Sequence, residues 1–216
     1  MNMNNILRKP FRYTYSNVSY ILIGLNLLVF MFNMIIPNSR LYLSMIPSLV
    51  IHGWLWQFVT YMFVHANISH IAFNMLALFF FGNSVERRMG SREFLLYYLL
   101  TGVLAGVFSF LVYFLGGNDI MLLGASGAIY AVLFAYAVYY PDSQLYVFGI
   151  IPMKATTLVI VYTAIELISQ FGSFRGRTAH LTHLAGFAFA FLYFIIRLGI
   201  NPIDSFRGRG NNNWYR

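Results

Sequence analysis

A serine and a histidine are the residues best suited to chemistry in this sequence. Ser126 lies between Gly124 and Gly127 in a Gly-Ala-Ser-Gly run, and His183 lies near the start of a later apolar run. A serine hydroxyl becomes a nucleophile only when a base within about 3 Å can take its proton. If the two runs form packed helices, Ser126 and His183 could make such a pair.

Small residues follow both groups at helical spacing. They are Ala128, Ala131 and Ala135 after the serine, and Gly186 and Ala190 after the histidine. Faces of small residues let two membrane helices approach closely. Close packing of these faces would bring the Ser126 hydroxyl to the His183 ring. Tyr130, one turn after Ser126, would then lie beside that ring.

Hydrogen-bond donors for such a site come from an earlier run. His70 and Asn74 are four residues apart, hence on one helix face. They could stabilise an oxyanion on a carbonyl attacked by Ser126, together with backbone N–H groups at the start of that serine's helix. Glu166 is the only acid inside an apolar run. It has no assigned partner and could orient a histidine, line a gate or face outward.

Other roles are open for the same residues. The Gly-Ala-Ser-Gly run could serve helix packing alone. His65 and His180 could be structural histidines that hold loops to helix ends. The four histidines His65, His70, His180 and His183 could hold zinc, although no His-Glu-x-x-His motif supplies a general base. We expect neither a metal nor a cofactor.

The composition is that of a membrane protein. Hydrophobic residues make up 59% of the 216 residues, aromatic residues 19% and charged residues only 9%, whereas charged residues are about 25% of soluble domains. At about 20 apolar residues per crossing, the length allows about six helices and no separate soluble catalytic module. The absence of cysteine excludes a disulfide, a thiolate nucleophile and a thiolate zinc site.

Six apolar runs divide the chain, of which the fourth and fifth are short: residues 18–36, 58–81, 94–115, 124–140, 155–171 and 179–200. We predict an all-α membrane protein with six transmembrane helices, because the bilayer interior satisfies no backbone group and the runs lack the alternation of barrel strands. The transmembrane domain would cover residues 18–200, between a cytoplasmic N-terminus (residues 1–17) and a disordered basic tail (residues 201–216). The segment 37–56 is too apolar for a free loop and is expected in the outer interface.

The net charge of +8 indicates orientation in the membrane rather than binding of nucleic acid. With both termini inside, eleven of the 14 Lys and Arg residues are cytoplasmic, and only Arg40, Arg175 and Arg177 lie outside. The positive-inside rule therefore predicts a multi-pass plasma-membrane protein with both termini in the cytoplasm. The polar residues of the second, fourth and sixth helices would then meet a few turns below the outer surface.

Taken together, these residues resemble the rhomboid family of intramembrane serine proteases in its six-helix bacterial form. The resemblance covers nearly the whole apolar part of the chain. It rests on His65, His70 and Asn74, on Gly82, Glu86, Arg87 and Gly90, on the run 124–127 with Tyr130, and on His183 with Gly186. It implies a rhomboid-like bundle with a membrane-embedded first loop.

The resemblance also implies roles. Ser126 would be the nucleophile and His183 the base of a dyad without an acid, His70 and Asn74 would form the oxyanion hole, and the Tyr130 ring would stack on His183. Supporting positions are Gly124, Gly127, Gly186 and His65. The substrates would be transmembrane proteins cut near the outer face, with small residues before the scissile bond and Gly or Pro nearby.

Two positions depart from the family pattern. Ala190 stands where a second glycine is common, and Gln57 stands where an arginine is common. The alternative function is a rhomboid-like scaffold that binds transmembrane helices without cutting them, but such relatives usually lack the serine or the histidine. A proton or metal transporter would predict inverted internal repeats, and we find none. The short fifth helix with Glu166 is the candidate moving wall for substrate entry.

Overall fold

Long helices joined by short helical segments make up most of the structure. A computed structural model describes residue 8 and residues 11–147, 150–169 and 174–207. The elements before the hairpin are α1 (Val18–Ile35), α2 (Ser39–Leu43), α3 (Pro47–Ile51), α4 (Gln57–Thr60), α5 (Ile68–Met89), α6 (Ser91–Leu115) and α7 (Ser126–Tyr139). They are followed by β1 (Gln144–Val147), β2 (Ile151–Lys154), α8 (Ala155–Ser169), α9 (Phe174–Tyr193, continued by a π-helical segment Phe194–Leu198) and α10 (Pro202–Phe206).

Four helices of the described residues are long and apolar enough to cross a membrane, namely Val18–Ile35, Ile68–Met89, Ser91–Leu115 and His180–Leu198. α7 and α8 are apolar but have only 14 and 15 residues. At 1.5 Å per residue they are about 21 and 23 Å long, against a hydrocarbon layer about 30 Å thick. The chain is therefore a helical membrane protein, and its count of six spans stays a prediction.

The second long helix begins later than the apolar run predicted. Residues Gln57–Thr60 and Tyr61–Phe63 form short separate turns, and α5 begins at Ile68. Asn67 is the N-cap, because its side-chain oxygen accepts a hydrogen bond from the backbone N–H of His70 at 2.8 Å. His65 and Asn67, expected on this helix, thus precede it.

A small β-hairpin was not predicted and lies between α7 and α8. Its strands β1 and β2 are antiparallel, with Gln144 opposite Lys154 and Tyr146 opposite Pro152. A proline is tolerated here because, within the described residues, the sheet has only these two strands and both are edge strands. The all-α class therefore holds apart from this hairpin.

The first loop is tied to the segment that leads into α7. Met45 and Leu122 exchange two backbone hydrogen bonds of 2.9 and 2.8 Å. Gln57 is fully buried, accepts from the N–H of Ile46 at 3.0 Å and donates to the carbonyl of Leu41 at 3.1 Å. Gln57 stands where an arginine is common in the family pattern, and its side-chain amide holds the first loop by these hydrogen bonds.

α7 is the centre of the bundle and packs against both α6 and α9. Its contact with α9 brings two backbones together, since a Cβ added at Gly186 would lie 2.2 Å from the carbonyl oxygen of Gly127. A Cβ at Gly127 would in turn lie 3.2 Å from the methyl group of Thr182. No side chain other than hydrogen fits at Gly186 without moving the helices apart.

Two buried carboxylates, Glu86 and Glu93, join helix ends at the end of the bundle opposite to the start of α7. Glu86 accepts hydrogen bonds from the backbone N–H groups of Val18 and Ser19, at 2.7 and 2.8 Å, and so caps α1. Glu93 pairs with Arg197 at 2.9 Å. These contacts join the start of α1, the α5–α6 junction and the end of α9, which is the arginine-rich end that the positive-inside rule assigns to the cytoplasm.

Part of the tail predicted to be disordered is helical. Asn201 caps α10 by accepting a hydrogen bond from the N–H of Ile203 at 3.1 Å. The Phe206 ring contacts the Phe134 ring of α7 with centroids 5.7 Å apart. The tail is thus held to the bundle as far as this helix, and residues 208–216 lie outside the described residues.

The α7–α9 contact makes Gly186 sensitive to one methyl group. We expect Gly186→Ala to destabilise the protein by about 1–3 kcal/mol, because the added carbon collides with backbone that cannot rotate away. Gly24→Ala in α1 is the matched control: a Cβ there meets nothing within 4 Å, and alanine favours the helix by up to about 1 kcal/mol. The measurement is reversible unfolding in detergent, and equal stability of both variants would contradict the packing argument.

Candidate active site

Ser126 is the first residue of α7 and is half-buried. The chain reaches it through Gly124, whose φ of 123° is favourable only for glycine. The N–H of Gly124 donates to the carbonyl of Tyr61 at 2.9 Å. A Cβ at position 124 would lie 2.8 Å from Cε1 of His70, so glycine leaves the space that the His70 ring occupies.

His183 reaches Ser126 from α9. Its Nε2 lies 2.8 Å from the Ser126 Oγ, a hydrogen-bond distance. The Tyr130 ring, one turn further along α7, stacks on the imidazole with centroids 4.1 Å apart and planes 8° from parallel. The structure therefore brings Ser126, Tyr130 and His183 together, through the glycine contact between α7 and α9.

Glu166 of α8 stands behind the imidazole, on the side away from the serine. Its Oε1 accepts hydrogen bonds from Nδ1 of His183 at 2.9 Å and from the Tyr130 hydroxyl at 2.5 Å. Its Oε2 contacts Nδ1 of His180. The family resemblance implies a base without an acid, and from the sequence Glu166 has no assigned partner. In the structure its partners are His183, Tyr130 and His180. In the sequence, the only indication of a role for Glu166 is that it is an acid inside an apolar run.

His70 and Asn74 approach the serine from α5. A Cβ at Gly124 would lie 2.9 Å from Nε2 of His70 and 3.7 Å from the Ser126 Oγ, so the imidazole edge and the hydroxyl flank the same small space. Nδ1 of His70 is the acceptor for the N–H of Ala66 at 3.5 Å, which leaves Nε2 to carry the proton. Asn74 is buried, and its amide nitrogen has no hydrogen-bond partner among the described residues.

The other two histidines lie beside this group. The His65 ring is fully buried and contacts the His70 ring edge to face, with centroids 5.0 Å apart. His180 contacts only the far oxygen of Glu166 among the hydrogen bonds of the described residues. His65 therefore supports the His70 ring from behind, and His180 supports the carboxylate.

Three residues of the described chain could offer ligands to a metal ion. Ligand atoms of Glu166, His180 and His183 lie within 4.8 Å of one another. This set shares only two members with the four-histidine set considered from the sequence. The three side chains already satisfy one another by hydrogen bonds, so a metal would have to separate His183 from Glu166.

A mostly apolar cavity of about 480 Å³ opens beside the site. It lies between α5, α7 and α8, and the residues that line it include Phe73, Asn74, Phe80, Tyr130, Leu158 and Tyr162. Asn74 and Tyr130 belong to both the cavity and the polar cluster. An apolar segment in this cavity would therefore reach the donors around Ser126.

Comparison with known proteins identifies the family. A family model described as the Rhomboid domain matches residues 52–200, which include every residue of this polar cluster. The chain belongs to the rhomboid family.

Curated rhomboid relatives come from several organisms. The chain is 41% identical to the rhomboid protease GluP of Bacillus subtilis (strain 168) over 86 residues, covering 40% of this chain and 16% of GluP. It is 29% identical to the putative rhomboid protease YdcA of the same organism over 145 residues, covering 66% and 69%. It is 33% identical to the rhomboid protease AarA of Providencia stuartii over 113 residues, covering 47% and 40%. This rhomboid chain thus matches less than half the length of GluP and AarA.

The space at Gly124 gives a test of this geometry. If Ser126 is reactive, we expect Gly124→Ala to slow its modification by a fluorophosphonate roughly 100-fold, because the added carbon displaces the His70 ring from the space beside the Ser126 hydroxyl. Gly53→Ala is the matched control, since Gly53 also has a left-handed φ, 96°, but nothing within 4 Å of a Cβ. If Gly53→Ala slows the reaction as much as Gly124→Ala does, or if neither variant slows it, the contact with His70 does not control the reaction.

Proposed function

We propose that this rhomboid protein is an intramembrane serine protease in which Ser126 is the nucleophile and His183 the general base. The observation that carries the proposal is the 2.8 Å contact between the Ser126 Oγ and Nε2 of His183. A hydroxyl in hydrogen-bond contact with an imidazole is the arrangement that activates serine. The names of relatives such as GluP and AarA, each a rhomboid protease, support the same activity.

The reaction follows from the positions of the donors. As Ser126 attacks a peptide carbonyl, Nε2 of His183 takes the hydroxyl proton and later gives it to the leaving amine. The oxyanion lies toward Nε2–H of His70 and the amide of Asn74, whose nitrogen has no partner among the described residues. The N-terminus of α7 adds a positive dipole at the same place. A water molecule then hydrolyses the acyl-enzyme.

Transmembrane proteins are the proposed substrates. The catalytic cluster belongs to helices whose outer faces are apolar, so a substrate segment arrives from the bilayer. A peptide carbonyl inside an intact helix is hydrogen-bonded and covered, and it must be unwound before Ser126 can reach it. Gly or Pro near the scissile bond lowers that cost by about 1–3 kcal/mol, which favours such segments as substrates.

The cavity between α5 and α8 is the proposed entrance. It is apolar along its walls and ends at Asn74 and Tyr130, so a helix entering sideways keeps its apolar side chains covered until it meets the polar donors. α8 is the moving wall in this proposal. The cluster lies at the end of the bundle opposite the Glu93–Arg197 pair, which supports cleavage near the outer face with both termini in the cytoplasm.

Replacing the nucleophile is the direct test. We expect Ser126→Ala to abolish cleavage of a transmembrane substrate in liposomes, because among the hydrogen bonds of the described residues no other hydroxyl binds a ring nitrogen of His183. Ser109→Ala is the matched control: Ser109 is buried inside the bundle, and its hydroxyl likewise has a side-chain partner on α9, Thr182 at 2.7 Å. Its loss should cost about 1 kcal/mol of stability and leave cleavage intact.

The same assay separates the competing chemistries. Cleavage should persist in EDTA, since the proposed reaction needs no metal. An active Ser126→Ala protein whose cleavage is lost in EDTA and restored by zinc would establish metal-dependent hydrolysis instead. A wild-type protein that binds transmembrane helices, cleaves none of them and leaves Ser126 unreactive would establish the scaffold function.

The entrance is tested by joining its walls. Phe73 of α5 and Tyr162 of α8 both line the cavity and are exposed, and the chain has no cysteine of its own. With cysteines at these two positions, a short bismaleimide cross-link should block cleavage of transmembrane substrates. Labelling of Ser126 by a small soluble fluorophosphonate should continue. Unchanged cleavage after complete cross-linking would show that substrates enter elsewhere.

A further inference from the structure

Glu166 has a position that the proposed Ser126–His183 pair does not require. Its side chain is only 5% exposed, and a buried carboxylate among apolar helices is costly unless donors surround it. The donors it has are His183, Tyr130 and His180. The first two are members of the proposed catalytic cluster, so the carboxylate is bound to the reaction site itself.

We propose that Glu166 is a positioning residue that makes the site a Ser126–His183–Glu166 triad. The proposal rests on the proposed protease function and extends it. The three groups form a continuous chain of hydrogen bonds: the Ser126 Oγ is 2.8 Å from Nε2 of His183, and Nδ1 of the same ring is 2.9 Å from Oε1 of Glu166. They come from α7, α9 and α8, so the triad depends on how these three helices pack.

The carboxylate fixes the tautomer of the His183 imidazole, and this tautomer is the one that can act as a base toward Ser126. Because an ionised carboxylate only accepts hydrogen bonds, Nδ1 of His183 must carry the proton, which leaves the Nε2 lone pair facing Ser126. When the Oγ–carbon bond forms, the hydroxyl proton moves to Nε2 and the carbonyl electron pair moves to oxygen. The ring is then an imidazolium whose positive charge faces Glu166. When the carbon–nitrogen bond breaks, Nε2 returns the proton to the leaving amine, and Glu166 keeps its charge throughout.

Other donors hold the carboxylate in this orientation. Tyr130 binds Oε1 through its hydroxyl and stacks its ring on His183, while His180 binds Oε2. With both oxygens engaged, the carboxylate cannot turn away from Nδ1. The titratable groups that face His183 are Tyr130 of α7, His70 of α5, Glu166 of α8 and His180 of α9.

The experiment compares two changes at Glu166 with a matched change at another buried carboxylate. Glu93 is similarly buried and also accepts from a tyrosine hydroxyl at 2.5 Å, but it lies at the opposite end of the bundle. The variants are Glu166→Gln, Glu166→Asp and Glu93→Gln in the full chain. The measurements are kcat, KM and the pH–rate profile for a transmembrane substrate in liposomes, each expressed per folded molecule.

We expect Glu166→Gln to lower kcat roughly 100- to 10,000-fold with little change in KM, as for other triads that lose their acid. The acid limb of its rate profile should move to lower pH, because the imidazolium loses its negative neighbour. Glu166→Asp should retain part of the rate and keep the acid limb near its wild-type position. Glu93→Gln should lower stability and leave kcat and the profile unchanged.

Other results overturn the proposal. A folded Glu166→Gln enzyme with wild-type kcat and profile would make Glu166 structural only, and so would a profile shift of equal size in Glu93→Gln. If Glu166→Gln does not fold, Glu166→Asp decides: an undiminished kcat overturns the triad, since the shorter side chain withdraws the carboxylate from Nδ1, and a reduced kcat with unchanged KM supports it.

Failure of the triad is distinct from failure of the protease function. If Ser126→Ala is inactive while Glu166→Gln has the wild-type rate, only the triad is wrong. If Ser126→Ala still cleaves the substrate, the protease mechanism itself is wrong. Cleavage that requires added zinc and is lost in EDTA would make Glu166, His180 and His183 metal ligands and would also overturn the triad.

Discussion

The contact between the backbones of Gly127 and Gly186 is the constraint on which the site depends. A Cβ at Gly186 would lie 2.2 Å from the carbonyl oxygen of Gly127, so the two helices could not approach this closely with a side chain at position 186. Ser126 and His183 flank these glycines and are therefore carried to within hydrogen-bond distance of each other. The same approach stacks Tyr130 on the imidazole. Van der Waals packing of small residues, rather than burial from water, is the attraction that membrane helices have available for such a contact.

Three buried carboxylates in the described residues are each surrounded by hydrogen-bond donors, but the groups that they join differ. Glu86, Glu93 and Glu166 are each nearly inaccessible, and each accepts hydrogen bonds from several donors. Glu86 and Glu93 join helix ends at one side of the bundle, where a lost contact weakens the fold. Glu166 joins the two rings beside Ser126, where it touches the proposed chemistry. Burial alone does not separate these roles, but the identity of the donors does.

The sequence was sufficient for the helical membrane class, the family and the approach of Ser126 to His183. The class rests on apolar length, the family on short motifs, and the approach of the two side chains on small residues at helical spacing, all of which are local patterns. The partners of Glu166 were not accessible in this way, because three separate helices must pack before the carboxylate meets two histidines and a tyrosine. The predicted start of α5 is too early, because most of residues 58–66 are apolar and continue the hydropathy of the helix, although Asn67 caps the helix only after them. The β-hairpin and α10 were missed for a similar reason, since short elements are stabilised by their neighbours rather than by their own composition.

The bridge between Met45 and Leu122 connects the first loop to the turn that precedes Ser126. Leu122 is joined by two hydrogen bonds to the loop and is only two residues before Gly124, whose amide is itself held by the carbonyl of Tyr61. A force that displaces the loop is thus transmitted along the backbone to the turn that presents Ser126. The loop and the turn before Ser126 are therefore fixed to each other by backbone hydrogen bonds, although about eighty positions of the chain separate Met45 from Ser126.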